Sequence, residues 1–303
     1  MRILVTGAAG FVARYLVPEL ASHGHDAFAT DIAPKADGIG VPYVRCDLCD
    51  ANETKTLVSR IRPDACIHLA GVTSIPEAAA NPGRLYAINI GGTINVLEAL
   101  SSLDSGASVL FVSTAQVYGC TPRPDPSPVD ESAETFPASP YAISKVAGEA
   151  ATRAYGRYRG LRAFVARPSN HTGPGQTARF VVPSLVGQAK AILRGERRAF
   201  AAGDTASGRD FSDVRDIVSA YRAILEHGDP GTTYNICAGT RMTIAKLIEA
   251  VKSAAGIDAP VETVAGLVRP TDFSRVLDTS RVRALGWSPT HSLADTLRDM
   301  MDE

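Results

Sequence analysis

The chain has 303 residues and a formal net charge of -1, because 31 basic side chains nearly balance 32 acidic ones. This length can bury one large α/β core, or a main core with a smaller partner, and we expect the second arrangement. The balanced charge argues against recruitment of nucleic acid or an anionic membrane surface, so a ligand has to be recognised locally. No apolar run approaches a membrane span and no signal-peptide pattern is visible, so a cytoplasmic protein is the default expectation.

The first half of the chain alternates strand-like runs with helical stretches. The strand-like runs are RILVTG, HDAFATD, YVRCDL, ACIHLAG, SVLFVST and LRAFVARP. Their apolar residues are continuous rather than alternating, which is typical of strands buried on both faces of a parallel sheet. The sequence therefore predicts an α/β fold with a doubly wound parallel sheet.

Two helices in this half have readable starts. One begins near Pro82 in NPGRLYAINIGGTINVLEAL, and the other follows Ser139-Pro140 in SPYAISKVAGEAATRAYGRY. Proline suits the first turn of a helix, where its missing amide would have no partner. Both helices carry more small and apolar residues than packing against one sheet requires. We expect them to pair with their copies in a homodimer, as a four-helix bundle; packing within the chain is the alternative.

After Pro168 the pattern loosens into loops, a helix near residues 181 to 194 and the glycine-rich link GDTASGRD. We predict that FSDVRDIVSAYRAIL contains a helix, and TYNICAG a strand, that return to the main sheet. The expected division is a sheet domain of residues 1–168 plus about 210–237, and a smaller discontinuous region of residues 169–209 plus about 238–303.

The five cysteines are scattered, and most lie in apolar runs, so we expect small buried hydrophobes and no disulfide framework. Cys46 and Cys49 form a C-x-x-C, a spacing that can bind zinc or support redox chemistry. No second pair or histidine cluster completes a tetrahedral set. We therefore expect no metal site.

A glycine turn, TGAAGFVA, follows the first strand and opens the first helix. Gly7 and Gly10 would let the backbone approach a pyrophosphate, and Ala13 stands in the third small position. Asp31, at the end of the second strand, would bond the adenosine ribose hydroxyls and repel a 2′-phosphate. The pattern predicts a Rossmann domain with NAD(H) favoured; Lys35 leaves NADP(H) open, and a plain strand-end role for Asp31 is the alternative.

The segment YAISK places Tyr141 and Lys145 four residues apart, on one face of one helix. A tyrosine with its ordinary pKa of about 10 is a poor base at neutral pH. A neighbouring ammonium group lowers that pKa and brings the phenol into range for proton transfer. The same spacing also occurs by chance in surface pairs. Here the context of surrounding motifs favours a catalytic pair.

That context is the order of the glycine turn, CDL, HLAG, STAQVYG and YAISK. In this order the chain resembles the extended short-chain dehydrogenase/reductase family along nearly its full length. The segment RPSNHTGPGQ resembles more narrowly the nucleotide-sugar-modifying branch, above all the reductases and dehydratases of GDP-4-keto-6-deoxymannose.

The resemblance implies roles for individual residues. Thr114 would hydrogen-bond the reacting oxygen, Tyr141 would transfer the proton, and Lys145 would hold the nicotinamide ribose and tune Tyr141. Asp47 and Leu48 would hold the adenine, and Asn89 matches a polar position that braces the region. The implied cofactor-binding residues are Gly7, Gly10, Phe11, Val12, Asp31, Ile32, Asp47, Leu48, Leu69, Ala70, Gly71, Asn89, Tyr141, Lys145 and Pro168. The implied substrate-binding residues are Thr73, Gln116, Asn170, His171, Val181, Arg209 and Arg269.

Several of these residues suit an anionic ligand on physical grounds as well. Asn170 and His171 follow the end of a strand, where open α/β sheets bind ligands. Arg209 and Arg269 lie in loops, where they could grip a diphosphate bidentately. An arginine followed by aspartate can instead form a local ion pair, and a loop histidine can simply be exposed.

Gln116 distinguishes between reactions. A sugar 4,6-dehydratase must expel the C6 hydroxyl group, and the similar dehydratases supply an acidic side chain at this position. A neutral amide cannot deliver a proton to a leaving hydroxide. The sequence therefore favours simple hydride and proton exchange at one carbon.

Two enzyme hypotheses remain open, and a third lies outside catalysis. The favoured one is reduction of C4 in a nucleotide-linked 4-keto-6-deoxyhexose, with GDP-4-keto-6-deoxymannose as the best substrate. The alternative is an NAD-dependent 4-epimerase of a UDP-hexose. The third hypothesis, a non-catalytic NAD-binding scaffold, is remote. Such a protein would have no chemical need for Thr114, Tyr141 and Lys145 together.

Overall fold

The computed structural model describes residues 1–73, 79–103, 106–119, 127–264 and 275–303. The strands in these ranges are β1 (Arg2–Thr6), β2 (Asp26–Asp31), β3 (Tyr43–Arg45), β4 (Ala65–His68), β5 (Ser108–Val112), β6 (Arg162–Pro168), β7 (Asn170–Thr172), β8 (Phe200–Ala202), β9 (Gly208–Asp213), β10 (Thr233–Ile236), β11 (Arg241–Thr243) and β12 (Val261–Thr263).

The main sheet of the described chain has seven strands, in the order β10-β6-β5-β4-β1-β2-β3. All of its pairings are parallel, from Arg2 opposite Asp26 at β1 and β2 to Thr233 opposite Val165 at β10 and β6. The predicted doubly wound parallel sheet is confirmed, and so is the return of TYNICAG to it as β10. The strand order reverses beside β1, which creates a crevice at the carboxyl ends of β1 and β4.

The helices are α1 (Ala13–Ser22), α2 (Ala51–Ile61), α3 (Pro82–Tyr86), α4 (Thr93–Ser101), α5 (Pro140–Arg159), α6 (Val181–Leu193), α7 (Val214–His227), α8 (Ile244–Ala255), α9 (Ser280–Ala284) and α10 (Leu293–Asp302). One apolar cluster joins the sheet to α1 and α7, and a second joins its other face to α2 and α4. Burial of both faces explains why the strand sequences are continuously apolar.

The predicted helix at Ser139-Pro140 forms as α5. The Ser139 hydroxyl accepts a hydrogen bond from the Ala142 amide, and Gly160 ends the helix in the left-handed conformation. These are the residue types that capping requires at each end. The proline start thus fixes the position of the helix that contains Tyr141.

Two predicted elements differ from the structure. The helix expected after Pro82 is divided by a π-helical turn at Ala87–Gly92, a type of insertion that often marks a functional site. GDTASGRD was expected to be a link and FSDV the start of a helix, but β9 occupies Gly208–Asp213 and α7 begins at Val214. Most polar residues of β9 are buried, and they form hydrogen bonds with residues far along the chain. Such long-range hydrogen bonds leave no local pattern in the sequence.

A third apolar cluster lies away from the main sheet, among α6, α8 and α10. Beside it, β7 pairs in parallel with β9, and β11 pairs with β9 in antiparallel orientation. Strands β8 and β12 form a separate parallel pair. The division of the chain into two regions at the predicted boundaries stays a prediction.

Cys46, Cys66 and Cys237 are buried, as expected, whereas Cys49 is exposed. Burial raises the pKa of both thiols in the C-x-x-C, so neither favours the thiolate form that metal binding or redox chemistry needs. In the described part of the chain no cluster of side chains could hold a metal ion. Across the same residues, no helix is both long enough and apolar enough to cross a membrane.

Candidate active site

The glycine turn joins β1 to α1 at the crevice. Gly7 has a φ of +72°, and a Cβ atom there would lie only 2.7 Å from the Ala70 amide nitrogen. Glycine is therefore required for both the turn and the close approach of two backbones. Val12, the residue before α1, provides no side-chain cap, which leaves the first amide groups of the helix for an anion. These features fit the pyrophosphate of a dinucleotide.

Asp31 ends β2 beside this turn. Its carboxylate accepts hydrogen bonds from the Ala9 and Ala33 amides, each at 3.0 Å. Asp31 thus holds the glycine turn in place. Ile32 is 58% exposed next to it, and Lys35 pairs with Asp37 at 2.9 Å on the surface. The preference for an unphosphorylated ribose stays a prediction, because both Asp31 oxygens are bonded to backbone amides here.

Asp47 and Leu48 follow β3, in the position where an adenine contact was predicted. The Asp47 carboxylate accepts from the Cys49 amide at 2.9 Å, and the Leu48 carbonyl accepts from Asn95 at 2.8 Å. Leu48 also packs beside Gly92 at the start of α4. Both residues are therefore held in place by local contacts, and their contact with adenine stays a prediction.

Asn89 lies in the π-helical turn and clamps the backbone that follows β4. Its side-chain oxygen accepts from the Val72 amide at 2.8 Å, and its amide donates to the Val72 carbonyl at 3.1 Å and to Ser144 at 3.0 Å. The same oxygen lies 3.0 Å from where a Cβ atom of Gly71 would be. Asn89 thus braces the loop of Leu69 to Gly71 against α5, which is the bracing position that the resemblance implied.

Thr114 and Tyr141 meet at the carboxyl end of β5. Thr114 accepts a hydrogen bond from the Gln116 amide at 3.3 Å, and its hydroxyl is also close enough to Tyr141 to favour the tyrosinate by hydrogen bonding. Desolvation is nevertheless the dominant effect, because Tyr141 is buried, and it raises the tyrosine pKa to about 12. The structure thus keeps Tyr141 protonated at neutral pH.

This result is opposite to the expectation that Lys145 lowers the pKa of Tyr141. The Lys145 ammonium lies 6.0 Å from the centre of the Tyr141 ring and donates instead to the Val112 carbonyl at 2.8 Å. It also lies 5.0 Å from the Phe111 ring. Burial lowers the pKa of Lys145 to about 8, and the charge of Glu149 only partly opposes this effect. A large part of the lysine's charge is therefore retained at neutral pH, within reach of a negative charge that forms on Tyr141.

A buried ionic network beneath the site was missed by sequence reasoning. The Glu149 carboxylate accepts from Ser113 at 2.6 Å, from Arg153 at 2.8 Å and from Arg167 at 2.6 and 2.9 Å. Arg167 in turn donates to the Tyr118 hydroxyl at 2.9 Å. The network joins α5, β6 and both flanks of Thr114. The i, i+4 spacing of Lys145 and Glu149 on α5 was the available signal.

Three of the predicted substrate residues lie on the small sheet of β7, β9 and β11. Asn170 and His171 are half-buried on β7, and Arg209 is half-buried on the neighbouring β9. The His171 Nδ1 atom donates to the Ser169 carbonyl at 3.1 Å, which leaves Nε2 as the acceptor of the neutral ring, and burial lowers the histidine pKa. The register pairs Asn170 with Phe211 and His171 with Ser212, so Arg209 lies two residues before the partner of Asn170 on β9.

Asp210 organises this region. It is 3% exposed and accepts hydrogen bonds from Ser169 and from the Ala238 and Thr240 amides, at 2.6 to 3.1 Å. The end of β6 is thereby tied to β9 and to the loop before β11. Sequence reasoning did not single out Asp210, because an aspartate directly after Arg209 was interpreted as the partner in a local ion pair. The sequence does not show that this aspartate is buried.

The remaining predicted residues have simple positions. Pro168 is buried at the end of β6, Val181 starts α6, and Thr73 is exposed after β4. Phe11 contacts Tyr15 edge to face at 5.5 Å. Arg269 lies outside the described residues. Contacts of all predicted site residues with a cofactor or substrate stay predictions.

Comparisons with known proteins agree with this architecture. The model of a family described as GDP-mannose 4,6 dehydratase matches residues 4–300. GDP-6-deoxy-D-mannose reductase of Pseudomonas aeruginosa is 35% identical over 305 residues, with 100% of this chain and 96% of that protein covered. The predicted resemblance to nucleotide-sugar enzymes of the extended short-chain dehydrogenase/reductase type is confirmed.

Two solved structures share the fold. RMD from Pseudomonas aeruginosa, complexed with NADPH, has a TM-score of 0.85 and 33% identity, and the match covers 99% of this chain and 97% of that one. A Thermus thermophilus UDP-glucose 4-epimerase, in complex with NAD, has a TM-score of 0.87 and 29% identity, with coverage of 100% and 98%. Both structural relatives thus bind a nicotinamide dinucleotide.

Proposed function

Because this chain belongs to the GDP-mannose 4,6-dehydratase family, we propose that it reduces the C4 ketone of a nucleotide-linked 4-keto-6-deoxyhexose. The observation that supports this most is the meeting of Thr114 with a protonated Tyr141, beside Lys145 and the neutral Gln116. The reductase relative from Pseudomonas aeruginosa supports GDP-4-keto-6-deoxymannose as the substrate.

In this proposal a bound reduced nicotinamide supplies hydride to C4 of the sugar. Tyr141 donates its phenolic proton to the C4 oxygen, whose carbonyl becomes an alcohol. A phenol with a pKa of about 12 is protonated at neutral pH, which suits an acid, and the developing alkoxide is a stronger base than the resulting phenolate. Thr114 hydrogen-bonds the same oxygen, and the Lys145 charge stabilises the phenolate.

Gln116 limits the chemistry to this exchange. It follows Thr114 on a 3-10 turn, the position at which an acid would be needed to expel the C6 hydroxyl group. An amide has no proton to give at neutral pH, so elimination has no acid catalyst there. The family model is described by a dehydratase activity, and Gln116 is the residue on which this proposal departs from it.

On the substrate side, we propose that Asn170, His171, Arg209 and Arg269 hold the diphosphate and sugar, with Thr73 and Val181 at the margins. A planar guanidinium group matches a diphosphate in geometry and charge. On the cofactor side, Asp31 favours NADH, because a 2′-phosphate would meet a carboxylate.

A homodimer through α4 and α5 and a cytoplasmic location complete the proposal. Ile94 on α4 is 37% exposed and Ile143 on α5 is 43% exposed, which gives these neighbouring helices apolar surface to bury. Size-exclusion chromatography with light scattering tests the dimer, and a monomeric mass at micromolar concentration would contradict it.

The substrate proposal is tested by nicotinamide absorbance after purified protein is mixed with NADH or NADPH and freshly prepared GDP-4-keto-6-deoxymannose. We expect stoichiometric oxidation that depends on the sugar, faster with NADH. No oxidation with either cofactor would contradict the proposed substrate.

A 4-epimerase is the second candidate, because the Thermus thermophilus epimerase with NAD has a TM-score as high as 0.87. Such an enzyme would keep tightly held NAD through purification. It would interconvert UDP-hexoses without net change in nicotinamide absorbance, which distinguishes it from a reductase.

A further inference from the structure

A continuous chain of buried hydrogen bonds crosses the protein beneath the candidate active site. The Ala70 amide donates to Thr6 Oγ1 at 3.2 Å, and Thr6 Oγ1 lies 2.8 Å from His68 Nδ1. On the other side of the ring, His68 Nε2 lies 3.0 Å from Thr93 Oγ1, and the Thr93 hydroxyl donates to the Asn89 carbonyl at 2.6 Å. The four side chains involved are at most 3% exposed, so solvent does not replace these bonds.

The chain continues from Asn89 to the helix that contains Tyr141. The Asn89 amide donates to Ser144 Oγ at 3.0 Å, and the Ser144 hydroxyl donates to the Tyr141 carbonyl at 2.7 Å. One end of the chain is therefore the backbone of Ala70, in the loop that faces the predicted dinucleotide. The other end is the first turn of α5.

The donors of this chain determine the tautomer of His68. The single hydroxyl proton of Thr93 is committed to the Asn89 carbonyl, so Thr93 Oγ1 must accept from His68 Nε2–H. Nδ1 then carries no proton and accepts from the Thr6 hydroxyl, whose oxygen accepts from the Ala70 amide. The opposite tautomer would leave the Thr6 hydroxyl without this acceptor in a buried site, at a cost of about 1–3 kcal/mol.

The surroundings of the ring also favour the neutral form. The charged group that acts on His68 is Lys145 on α5, and the Phe111 ring on β5 lies 6.0 Å away. Burial, followed by the lysine charge, lowers the histidine pKa to about 3. His68 is thus uncharged throughout the neutral range. A protonated His68 would add a second positive charge near Lys145 in an apolar environment, which is unfavourable.

We propose that His68, as the neutral Nε2–H tautomer, is a positioning residue that couples the dinucleotide-facing backbone of Ala70 to the helix of Tyr141. Each nitrogen serves one side: Nδ1 holds the Thr6 and Ala70 side, and Nε2 holds the Thr93, Asn89 and Ser144 side. The catalytic part of this inference rests on the proposed function, whereas its binding and tautomer parts need only the dinucleotide and the protein.

Three substitutions separate the two sides. His68→Asn keeps an acceptor near Nδ1, His68→Gln keeps a donor near Nε2, and His68→Leu removes both. Loss of one buried hydrogen bond corresponds to about tenfold in an equilibrium or rate constant. We expect His68→Asn to leave the Kd for reduced dinucleotide unchanged and to lower kcat about tenfold. His68→Gln should raise that Kd about tenfold and leave kcat unchanged. His68→Leu should both raise the Kd and lower kcat.

The matched control is Cys66→Ala, which alters an equally buried residue on the same strand outside the hydrogen-bond chain. We expect it to lower the Tm and leave Kd and kcat unchanged. If the Asn and Gln variants both show a higher Kd and a lower kcat, in proportion to their loss of Tm, His68 is a packing residue and the proposal is overturned.

Nitrogen-15 NMR of histidine-labelled wild-type protein gives an independent answer, even where His68→Leu fails to fold. We expect an unprotonated Nδ1 and a protonated Nε2 for His68 from about pH 6 to 9. A protonated Nδ1 or an imidazolium in that range overturns the proposal. Because NMR and dinucleotide titration need no sugar, failure of the proposed substrate leaves both tests intact.

Discussion

The proposed dinucleotide-facing and substrate-facing halves of the site are built in different ways. In the first, Gly7, Asp31 and Ala70 lie at the ends of neighbouring strands of one parallel sheet, and hydrogen bonds from backbone amides to side chains hold this region. In the second, Asn170 and Arg209 lie on short strands joined to the main sheet through the buried Asp210. The first half follows from short motifs, whereas the second depends on contacts between distant segments.

From this difference we expect that cofactor chemistry and substrate choice can vary separately in this fold. A substitution in the first half should change turnover or dinucleotide affinity, and one in the second should change sugar affinity alone. Each prediction below tests this separation.

The largest effect is expected for Tyr141→Phe. Without the phenolic proton, kcat should fall at least about a thousandfold, while the Kd for dinucleotide stays within about twofold, since general acid catalysis contributes up to about ten-thousandfold. Stopped-flow kinetics and fluorescence titration measure the two quantities. Tyr158→Phe, at a 74% exposed position on the same helix, is the control. Undiminished turnover in Tyr141→Phe would remove this residue from the mechanism.

Lys145→Met should lower kcat about a hundredfold. In the wild-type enzyme kcat/KM should fall above pH 8, because Lys145, with a pKa of about 8, loses the charge that stabilises the phenolate. Lys55→Met, at an exposed position on α2, should change neither kcat nor the pH profile. A flat profile up to pH 9.5 would contradict the assignment.

The same pKa makes a stability prediction with a defined sign. Lys145 titrates near pH 8 in the folded protein and near 10.5 when unfolded, so between these values the unfolded chain binds more protons. The contribution of Lys145 to the free energy of unfolding therefore rises with pH across this window. Urea unfolding at pH 7.5 and 9.5 should show a smaller rise in Lys145→Met than in Lys55→Met, and equal rises would refute the shift.

Arg209→Leu tests the substrate half. Loss of a charge-assisted contact to a diphosphate should raise the KM for the nucleotide sugar about ten- to a hundredfold. The Kd for dinucleotide should not change. Arg194→Leu removes an exposed arginine that pairs with Glu196, and it should leave both constants unchanged. An equal rise in dinucleotide Kd for Arg209→Leu would show that the two halves are not separable.

The smallest effect is expected for Asp31→Asn. Removal of the carboxylate charge should weaken NADH binding and strengthen NADPH binding, each by less than about tenfold, because one charge near an exposed phosphate is worth about 1 kcal/mol. Isothermal titration with both cofactors gives the ratio of affinities. Asp37→Asn is the control, at an exposed position six residues on. An unchanged ratio would mean that Asp31 serves only the glycine turn.

Sequence reasoning predicted the main sheet and the cofactor turn because their signals are local. Apolar runs, Gly7 and Ser139-Pro140 each require a particular backbone conformation within a few residues. It did not predict the π-helical turn at Ala87–Gly92 or strand β9, because both are stabilised by partners far along the chain. The raised pKa of Tyr141 was missed for a related reason: the spacing places Lys145 on the same helix face, but it does not reveal the burial that raises the tyrosine pKa.

Transfer of deuterium tests the proposed reduction most directly. Purified enzyme would be mixed with reduced nicotinamide dinucleotide deuterated at its C4 hydride position and with GDP-4-keto-6-deoxymannose, and the product examined by NMR. We predict one deuterium at C4 of the sugar for each cofactor oxidised, and a single configuration at that carbon. An epimerised sugar without net oxidation, or deuterium at another carbon, would contradict the account.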